Sequence, residues 1–485
     1  MALLDQLKIA YSEHLVKKYV KRARESPEEI DAIFKDLKKY SNNESFSNLI
    51  DWITENPGPR ELFKRIFERD EKQVYMFFEN LIVHSGLEWL LKNSKIDSEK
   101  EFPAPFNLLI SPTMRCNLQC EGCYAISYDR STDMSKEFFD SILTQGEEMG
   151  IHFYTLLGGE PSLKIKEFAD VFEKHNKSIF QMFTNATVMN RDDETLETLL
   201  ELGNIIPVLS VDGRKEHTDK MRGPGVYEEV ISVAEKLKER KSLYGISLVL
   251  TREDFEVLSD LSFYDEWIDR GALFGWIFLY MPISRGSHPE LMPTGEQRKE
   301  MYYVIHEVRK NKPFFLMDFW NDAPAVNGCI AARRYAHVTN EGYLEPCIFV
   351  HQAVDNLHEK SLKEAWNSDF FNAIRLHQPH TDNLLQPCMI IGNPKVLRKI
   401  DEVYKPKSTD GYSVNRVFKL KDFFDNYSKN VAQVLDPFFK EKYSDVYKKW
   451  EEKGTAHTEG FDRIWLEHLP EDKQKEIKKK YKLSD

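Results

Sequence analysis

The sequence predicts an α/β protein built on a parallel β/α sheet or on a partial (β/α)6, TIM-like barrel. From Phe106 to Ile283, short apolar runs alternate with amphipathic, helix-length stretches, which is the pattern of parallel strands joined by helical crossovers. Residues 1–101 show helical patterns and no convincing strand. The last third begins with a β-hairpin pattern and then returns to helices. With 485 residues, the chain has room for about three domains.

Residues 1–101 are predicted to form a helical N-terminal domain, with breaks at Pro27 and around Pro57 and Pro59, because proline ends a helix or occupies its first turn. The barrel core is predicted over 102–311. Its six strands are expected at 106–110, 153–157, 179–184, 206–211, 246–250 and from Leu273. Because such strands run parallel, we expect the functional site at their carboxyl ends.

A separate module is predicted over 312–395. Two short apolar runs, 335–340 and 343–349, flank Glu341 and Gly342, which favours a β-hairpin. A helix follows near 362–376, and 396–485 is predicted to be a helical C-terminal region.

Composition excludes several classes of function. Lys and Arg number 67 against 79 Asp and Glu, a net charge of −12, so a nucleic-acid partner is not expected. Asp5, Lys8 and Glu13 interrupt any export signal, and the longest apolar run, 272–283, is too short to span a bilayer. We therefore expect a cytoplasmic protein whose six cysteines are ligands rather than disulfides.

Three of these cysteines form one short run directly after the first predicted strand: Cys116, Cys120 and Cys123. Soft thiolates in a compact loop suit an iron–sulfur cluster or a zinc ion. A structural zinc site needs a fourth ligand, and the nearest histidine, His152, lies on the next strand. Three ligands on a four-iron cluster would leave one iron open for chemistry. The spacing favours the cluster, and zinc remains the alternative.

The CxxxCxxC run, followed by the aromatic Tyr124, resembles the radical S-adenosylmethionine (SAM) superfamily. The resemblance implies that Cys116, Cys120 and Cys123 hold a catalytic [4Fe-4S] cluster whose open iron is chelated by SAM. It further implies reductive cleavage of SAM to a 5′-deoxyadenosyl radical, which abstracts hydrogen from an unactivated C–H bond. The implied partners are SAM and an electron donor such as flavodoxin or ferredoxin.

Further landmarks fall at the ends of later strands. Gly158, Gly159, Glu160 and Pro161 resemble the GGEP element of this family, whose glycines let the backbone approach the ligand and whose carboxylate accepts from the SAM ammonium group. Arg222 is expected to pair with the SAM carboxylate. Ordinary caps and turns are the alternative for the polar strand ends. The full set of expected cofactor-binding residues is Tyr124, Gly158, Gly159, Glu160, Pro161, Asn185, Ser210, Asp212 and Arg222.

The remaining cysteines form a second group. Twelve residues separate Cys329 from Gly342, and four separate Gly342 from Cys347. This spacing resembles the first half of the SPASM auxiliary-cluster module. The full pattern needs several further cysteines, and only Cys388 follows, which resembles the shortened "twitch" version. The resemblance implies that Cys329, Cys347 and Cys388 hold one auxiliary iron–sulfur cluster, expected to be [4Fe-4S]. A zinc site or uncoupled thiols are the alternatives.

The stretch 271–388 also resembles a radical SAM subgroup of membrane-spanning lipid synthases. That resemblance implies coupling of lipid acyl tails, with membrane lipid as a partner. An amphipathic stripe on the first helix, including Leu4, Leu7 and Tyr11, would permit peripheral binding at a membrane surface, and an ordinary packed helix is the favoured alternative. Two alternatives stay open: a radical SAM maturase that modifies peptides, and a non-catalytic iron–sulfur electron-transfer protein. The first is disfavoured because the helical N-terminus lacks the strands of a leader-binding domain.

Overall fold

The computed structural model describes residues 3–39, 44–96 and 101–445, together with Lys475 and Lys479. The N-terminal domain is helical, as predicted. Pro27 begins a short 3₁₀-helix and Pro57 begins a new α-helix, because proline needs no amide partner in a first turn. The helices are α1 Leu3–Glu25, α2 Ile30–Lys38, α3 Glu44–Glu55, α4 Pro57–Phe67, α5 Glu71–Phe78 and α6 Trp89–Asn93, with a π-helix at Glu79–Glu88 between the last two.

In the described part of the chain, nine strands form one sheet in the order β7-β6-β5-β4-β3-β2-β1-β8-β9. Strands β1 to β8 pair in parallel and β9 is antiparallel to β8. All six predicted strands are present. The strands are β1 Asn107–Ile110, β2 Phe153–Leu156, β3 Ile179–Thr184, β4 Ile205–Ser210, β5 Gly245–Leu250, β6 Phe274–Leu279, β7 Phe315–Asp318, β8 Tyr335–Val338 and β9 Leu344–Glu345.

Helices of the barrel follow the strands, and several are set by local signals. Ser135 caps α7 by accepting from the Phe138 amide, and Gly150 ends it at φ 91°. Thr294 and Gln297 form a capping box that begins α15. These helices are α7 Lys136–Met149, α8 Ala169–Lys174, α9 Thr187–Arg191, α10 Asp193–Leu202, α11 Lys215–Arg222, α12 Val226–Glu239, α13 Phe255–Ser259, α14 Leu261–Arg270 and α15 Gly295–Asn311.

The predicted hairpin forms, and it is joined to the barrel rather than standing as a separate module. Strand β8 pairs with β1 over its whole length, from Asn107 opposite Tyr335 to Ile110 opposite Val338. A buried hydrogen-bond chain adds to this joint: Ser111 Oγ contacts His337 Nε2 at 2.7 Å, and His337 Nδ1 contacts Glu345 Oε2 at 2.6 Å. The second cysteine group is therefore fixed directly against the first strand of the barrel.

The N-terminal helices close the barrel at the amino ends of its strands. Ile179, Ile206, Leu243 and Leu273, at or near the starts of β3 to β6, share one buried apolar cluster with the N-terminal helices. Burial of such side chains contributes about 1.5–3 kcal/mol each. The opposite, carboxyl ends of the strands are left for the site.

The C-terminal helices pack on the outside of this core, with the Tyr427 hydroxyl donating to the Pro293 carbonyl at 2.8 Å. The predicted helix at 362–376 is two helices broken at Asn367 and Ser368. Among the described residues, no helix is long and apolar enough to cross a membrane. The remaining elements are α16 Leu362–Trp366, α17 Asp369–Leu376, α18 Pro394–Tyr404, α19 Ser413–Lys419, α20 Lys421–Lys442 and the two-stranded pair β10 Gln352–Ala353 and β11 Lys407–Ser408.

Candidate radical SAM site

The first cysteine group lies on the loop that leaves β1 at its carboxyl end. The Leu118 amide donates to Cys116 Sγ at 3.4 Å, and the Asn185 side-chain amide approaches the same sulfur at 3.7 Å. The Glu121 amide donates to the Met221 carbonyl at 2.8 Å, which ties the loop to the end of α11. All three thiols are therefore held at the mouth of the barrel, where the sequence predicts them.

Burial raises the pKa of all three thiols, and that of Cys120 reaches about 11. The thiols are therefore protonated near neutral pH until a metal displaces the protons. In neither cysteine group do the three sulfur atoms all lie within 4.8 Å of one another, as judged over the described residues. A tetrahedral zinc ion with Zn–S bonds of ~2.3 Å would hold its sulfurs about 3.8 Å apart. The wider spacing fits a multi-iron cluster and disfavours a single zinc ion.

Gly158 and Gly159 follow β2 and pack against the backbone of the cysteine loop. A Cβ at Gly158 would lie 2.2 Å from the Thr113 carbonyl oxygen, and one at Gly159 would lie 2.1 Å from that of Arg115. The Gly159 amide donates to Thr113 at 2.9 Å and the Glu160 amide donates to Arg115 at 2.8 Å. The sequence predicts that these glycines let the backbone approach a ligand. In the structure they let it approach the loop that carries the cysteines.

Replacing Gly159 with alanine is expected to destabilise the fold by about 1–3 kcal/mol, because the added methyl group overlaps a backbone carbonyl that cannot move without shifting the cysteine loop. Urea denaturation of the reconstituted protein measures this. Gly86→Ala is the matched control, since its Cβ meets no atom closer than 3.4 Å. Equal stability of the two variants would contradict the tight packing inferred at Gly159.

Glu160 is buried and accepts from four donors. The Ser162 amide and hydroxyl and the Thr184 hydroxyl donate to Oε1 at 3.0, 2.5 and 2.7 Å, and the Asn185 amide donates to Oε2 at 2.7 Å. Burial raises the pKa of this carboxyl, and the donors offset part of the shift. Glu160 thus joins the ends of β2 and β3, and Oε2, with a single donor, keeps the capacity for a further hydrogen bond. Pro161 begins the 3₁₀-helix that follows.

Tyr124 packs beneath this loop, where its hydroxyl accepts from the Gly158 amide at 3.3 Å. Ser210 ends β4 and lies level with Ser247 of β5. Asp212 follows and forms a buried ion pair with Arg222, with 2.6 Å between Arg222 Nε and Asp212 Oδ2. The sequence predicts that Arg222 pairs with the SAM carboxylate, whereas the structure places its guanidinium on Asp212 and near Cys120 and Cys123.

Arg130 is a residue that sequence reasoning misses. Its guanidinium is half-buried, its Nε atom has no hydrogen-bond partner, and no carboxylate lies within ion-pair distance among the described residues. Burial raises the pKa of Cys116 and Cys123, and the positive charge of Arg130 offsets part of this effect at both thiols. An unpaired cation beside the cysteines is suited to a negatively charged group bound there. No motif in the sequence marks this residue, because only the fold brings it to the cysteines.

The second cysteine group gathers Cys329, Cys347 and Cys388 around the β8–β9 hairpin. Burial raises the pKa of all three thiols, that of Cys347 to about 12. The Tyr335 hydroxyl donates to Cys347 Sγ at 3.0 Å, and the Ile390 amide donates to Cys388 Sγ at 3.4 Å. These donors would stabilise thiolates that bind iron.

Replacing Tyr335 with phenylalanine is expected to lower the reduction potential of the auxiliary cluster. A hydrogen bond to a ligand sulfur stabilises the more negative, reduced state, and its loss shifts the potential on the order of tens of millivolts. EPR-monitored redox titration measures the shift. Tyr343→Phe is the control, because its hydroxyl contacts Lys407 and no cysteine. An unchanged potential in the Tyr335 variant would show that the contact does not act on the cluster.

Aromatic rings form a continuous row across the open face of the barrel, from β3 to β8. We define the aromatic wall as Phe183, Trp276, Phe278, Phe319 and Tyr335. Ring centroids are 5.8 Å apart for Phe183 and Phe278, 5.1 Å for Trp276 and Phe319, and 6.3 Å for Phe319 and Tyr335. The wall begins two residues before Asn185 and ends at the tyrosine that contacts Cys347.

Comparisons with known proteins agree with this arrangement. Residues 110–262 match the Radical SAM superfamily, and residues 329–389 match SPASM, an iron–sulfur cluster-binding domain. An AdoMet-dependent heme synthase of Methanosarcina barkeri is 22% identical over 300 residues, which are 54% of this chain and 82% of that protein. The sporulation killing factor maturation protein SkfB of Bacillus subtilis is 29% identical over 163 residues, 32% of this chain and 38% of that protein.

The crystal structure of Streptococcus suis SuiB bound to S-adenosylmethionine has the same fold. It aligns with a TM-score of 0.52 at 21% identity and covers 70% of this chain and 81% of that one. The two matched domains imply SAM and iron–sulfur clusters as cofactors, including an auxiliary cluster in the SPASM domain. Residues 110–262 therefore form a Radical SAM domain, and residues 329–389 form an iron–sulfur cluster-binding SPASM domain.

Proposed function

We propose that this chain is a radical SAM maturase that modifies a side chain of a peptide or protein. The observation that carries the proposal is the lining of the open barrel face. Ser210, Ser247, Trp276 and Met317 lie level on β4 to β7 and share one face of the sheet, and none of them is charged. Together with the aromatic wall, this surface suits an uncharged side chain carried by a polar backbone.

Two other substrate classes fit this lining less well. A tetrapyrrole carries several carboxylates, which need cationic partners when they are buried, and the row on β4 to β7 supplies none. Lipid tails, expected from the likeness of 271–388 to lipid synthases, offer nothing for the hydroxyls of Ser210 and Ser247 to bind. The likeness to SkfB, named as a maturation protein, supports the peptide alternative, and no relative described above supports lipid coupling.

We assign separate cofactor-binding and substrate-positioning roles to the residues of this chain. When bound, the SAM cluster and SAM supply electron transfer and hydrogen abstraction. Cys116, Cys120 and Cys123 would hold that cluster. Glu160 Oε2 and the surrounding backbone would orient the amino group of SAM, while the aromatic wall would exclude water and position the substrate side chain between the two cysteine groups.

Deuterium transfer tests the substrate class. The anaerobically reconstituted, dithionite-reduced protein is incubated with SAM and one of three substrates: peptides from cells grown in D₂O, vesicles of deuterated phospholipid, or a deuterated porphyrin. We expect deuterium in 5′-deoxyadenosine from the peptide pool only. Transfer from phospholipid or porphyrin, with none from peptides, would overturn the proposal.

A further inference from the structure

A second cluster of ligand-type side chains lies far from the cysteines, in the N-terminal domain. Glu13 is on α1, and Glu79 and His84 are on the π-helix Glu79–Glu88. Each offers one ligand atom, and these three atoms all lie within 4.8 Å of one another. His84 Nε2 is 3.7 Å from Glu13 Oε1. We call this group the Glu13–Glu79–His84 cluster.

His84 is oriented as a metal ligand would be. Its side chain is 1% exposed, and its Nδ1 contacts Glu88 Oε2 at 3.2 Å. A carboxylate at Nδ1 holds the proton on that nitrogen and leaves the Nε2 lone pair available, as in carboxylate–histidine–metal arrangements. Nε2 is buried and has no hydrogen-bond partner in the described structure. A buried, unpartnered nitrogen that faces two carboxylates is a donor set suited to a cation.

The π-helix brings the cluster together. Residues five apart, such as Glu79 and His84, lie about 140° apart around an ordinary α-helix, whereas the i→i+5 hydrogen bonding of a π-helix stacks them on one side. Such segments are rare and are found frequently at functional sites. The 10-residue π-helix here is thus the local feature that aims Glu79 and His84 at the same point.

Two lysines lie next to the Glu13–Glu79–His84 cluster but form only long ion pairs with its carboxylates. Lys17 Nζ lies 3.5 Å from Glu79, and Lys177 Nζ lies 3.8 Å from Glu13. Both contacts are longer than a normal charged hydrogen bond of ~2.8 Å, and the lysine side chains are 58% and 62% exposed. Either ammonium group can therefore swing into solvent when a cation binds, at little energetic cost.

We propose that Glu13, Glu79 and His84 bind a divalent first-row transition metal, with Glu88 orienting the imidazole. One imidazole nitrogen and two carboxylate oxygens form a donor set that suits Mn²⁺, Fe²⁺ or Zn²⁺ rather than the soft, thiolate-bound metals. The His84 ring lies 5.4 Å from that of His152, which precedes the amino end of β2. The site is thus on the face of the barrel opposite the cysteine loop and is independent of SAM binding.

Mn²⁺ is the probe that tests this site. The anaerobically reconstituted full-length protein is titrated with Mn²⁺, and free Mn²⁺ is read from its six-line EPR signal. We expect one bound Mn²⁺ per chain, and at least tenfold weaker binding in Glu13→Gln, Glu79→Gln and His84→Gln. Glu61→Gln, which removes an exposed carboxylate paired with Lys64 on α4, is expected to bind like the wild type.

Two results would overturn the proposal. The first is absence of Mn²⁺ binding by the wild-type protein. The second is binding that the three variants leave unchanged. Iron content and circular dichroism report whether each variant folds. If His84→Gln fails to fold, Mn²⁺ binding by the Glu13 and Glu79 variants decides the question. The side chains of Glu13 and Glu79 are 24% and 21% exposed and tolerate substitution.

Discussion

Replacing Cys116 with alanine is expected to reduce 5′-deoxyadenosine formation from SAM at least about a thousandfold. Loss of a residue that only orients a metal ligand commonly lowers metal affinity or activity 10–100-fold. Because Cys116 is expected to be a ligand itself, its loss should have a larger effect. The neighbouring polar groups, the Leu118 amide and the Asn185 side chain, can donate to a sulfur but cannot replace it. The product is measured by liquid chromatography after anaerobic reconstitution and reduction with dithionite.

Cys388→Ala is the matched control, because it removes one cysteine from the second group and leaves the first intact. Iron content is expected to fall from roughly eight to roughly four atoms per chain in either variant. Only the Cys116 variant should lose SAM cleavage. A wild-type protein that binds both clusters and forms no 5′-deoxyadenosine would instead support the non-catalytic electron-transfer alternative.

The fold was largely predictable because its main signals are local. Each of the six core strands is an apolar run bounded by polar segments, and the predicted bounds 179–184 coincide with β3, Ile179–Thr184. Strand β7, Phe315–Asp318, is not predicted from the sequence, because its short apolar run ends in a carboxylate. The pairing of β8 with β1 joins residues more than 200 positions apart. No local pattern contains such a register, which is why the hairpin was predicted to be a separate module.

The candidate site likewise has parts that local sequence motifs predict and parts that only the fold brings together. The cysteine spacings and the Gly158–Gly159 pair are short motifs, and the sequence alone places them at strand ends. Side-chain pairings within the site cannot be predicted from such motifs, because they depend on how the chain folds. Arg222 lies ten residues from Asp212, and only the path of α11 reveals that they pair. Because Arg222 is already paired with Asp212, Arg130 is the cation next to the thiols that has no carboxylate partner in the described part of the chain.

Replacing Arg130 with glutamine is therefore expected to weaken SAM binding by roughly 10- to 150-fold, the loss of one charged hydrogen bond of about 1.5–3 kcal/mol. The guanidinium is half-buried beside Cys116 and Cys123 and has no carboxylate partner among the described residues. A ligand carboxylate bound near these cysteines would form an ion pair with the Arg130 guanidinium. Equilibrium dialysis with radiolabelled SAM measures the dissociation constant.

Arg115→Gln provides the comparison that separates charge pairing from general electrostatics. Arg115 adjoins Cys116 in the sequence, but it is 56% exposed and already paired with Asp133, so its loss should change the dissociation constant by no more than about fivefold. Arg130→Lys keeps the charge and loses the planar fork, and intermediate affinity is expected. If Arg130→Gln binds SAM as tightly as the wild type and only melts earlier, Arg130 stabilises the loop and does not contact the ligand.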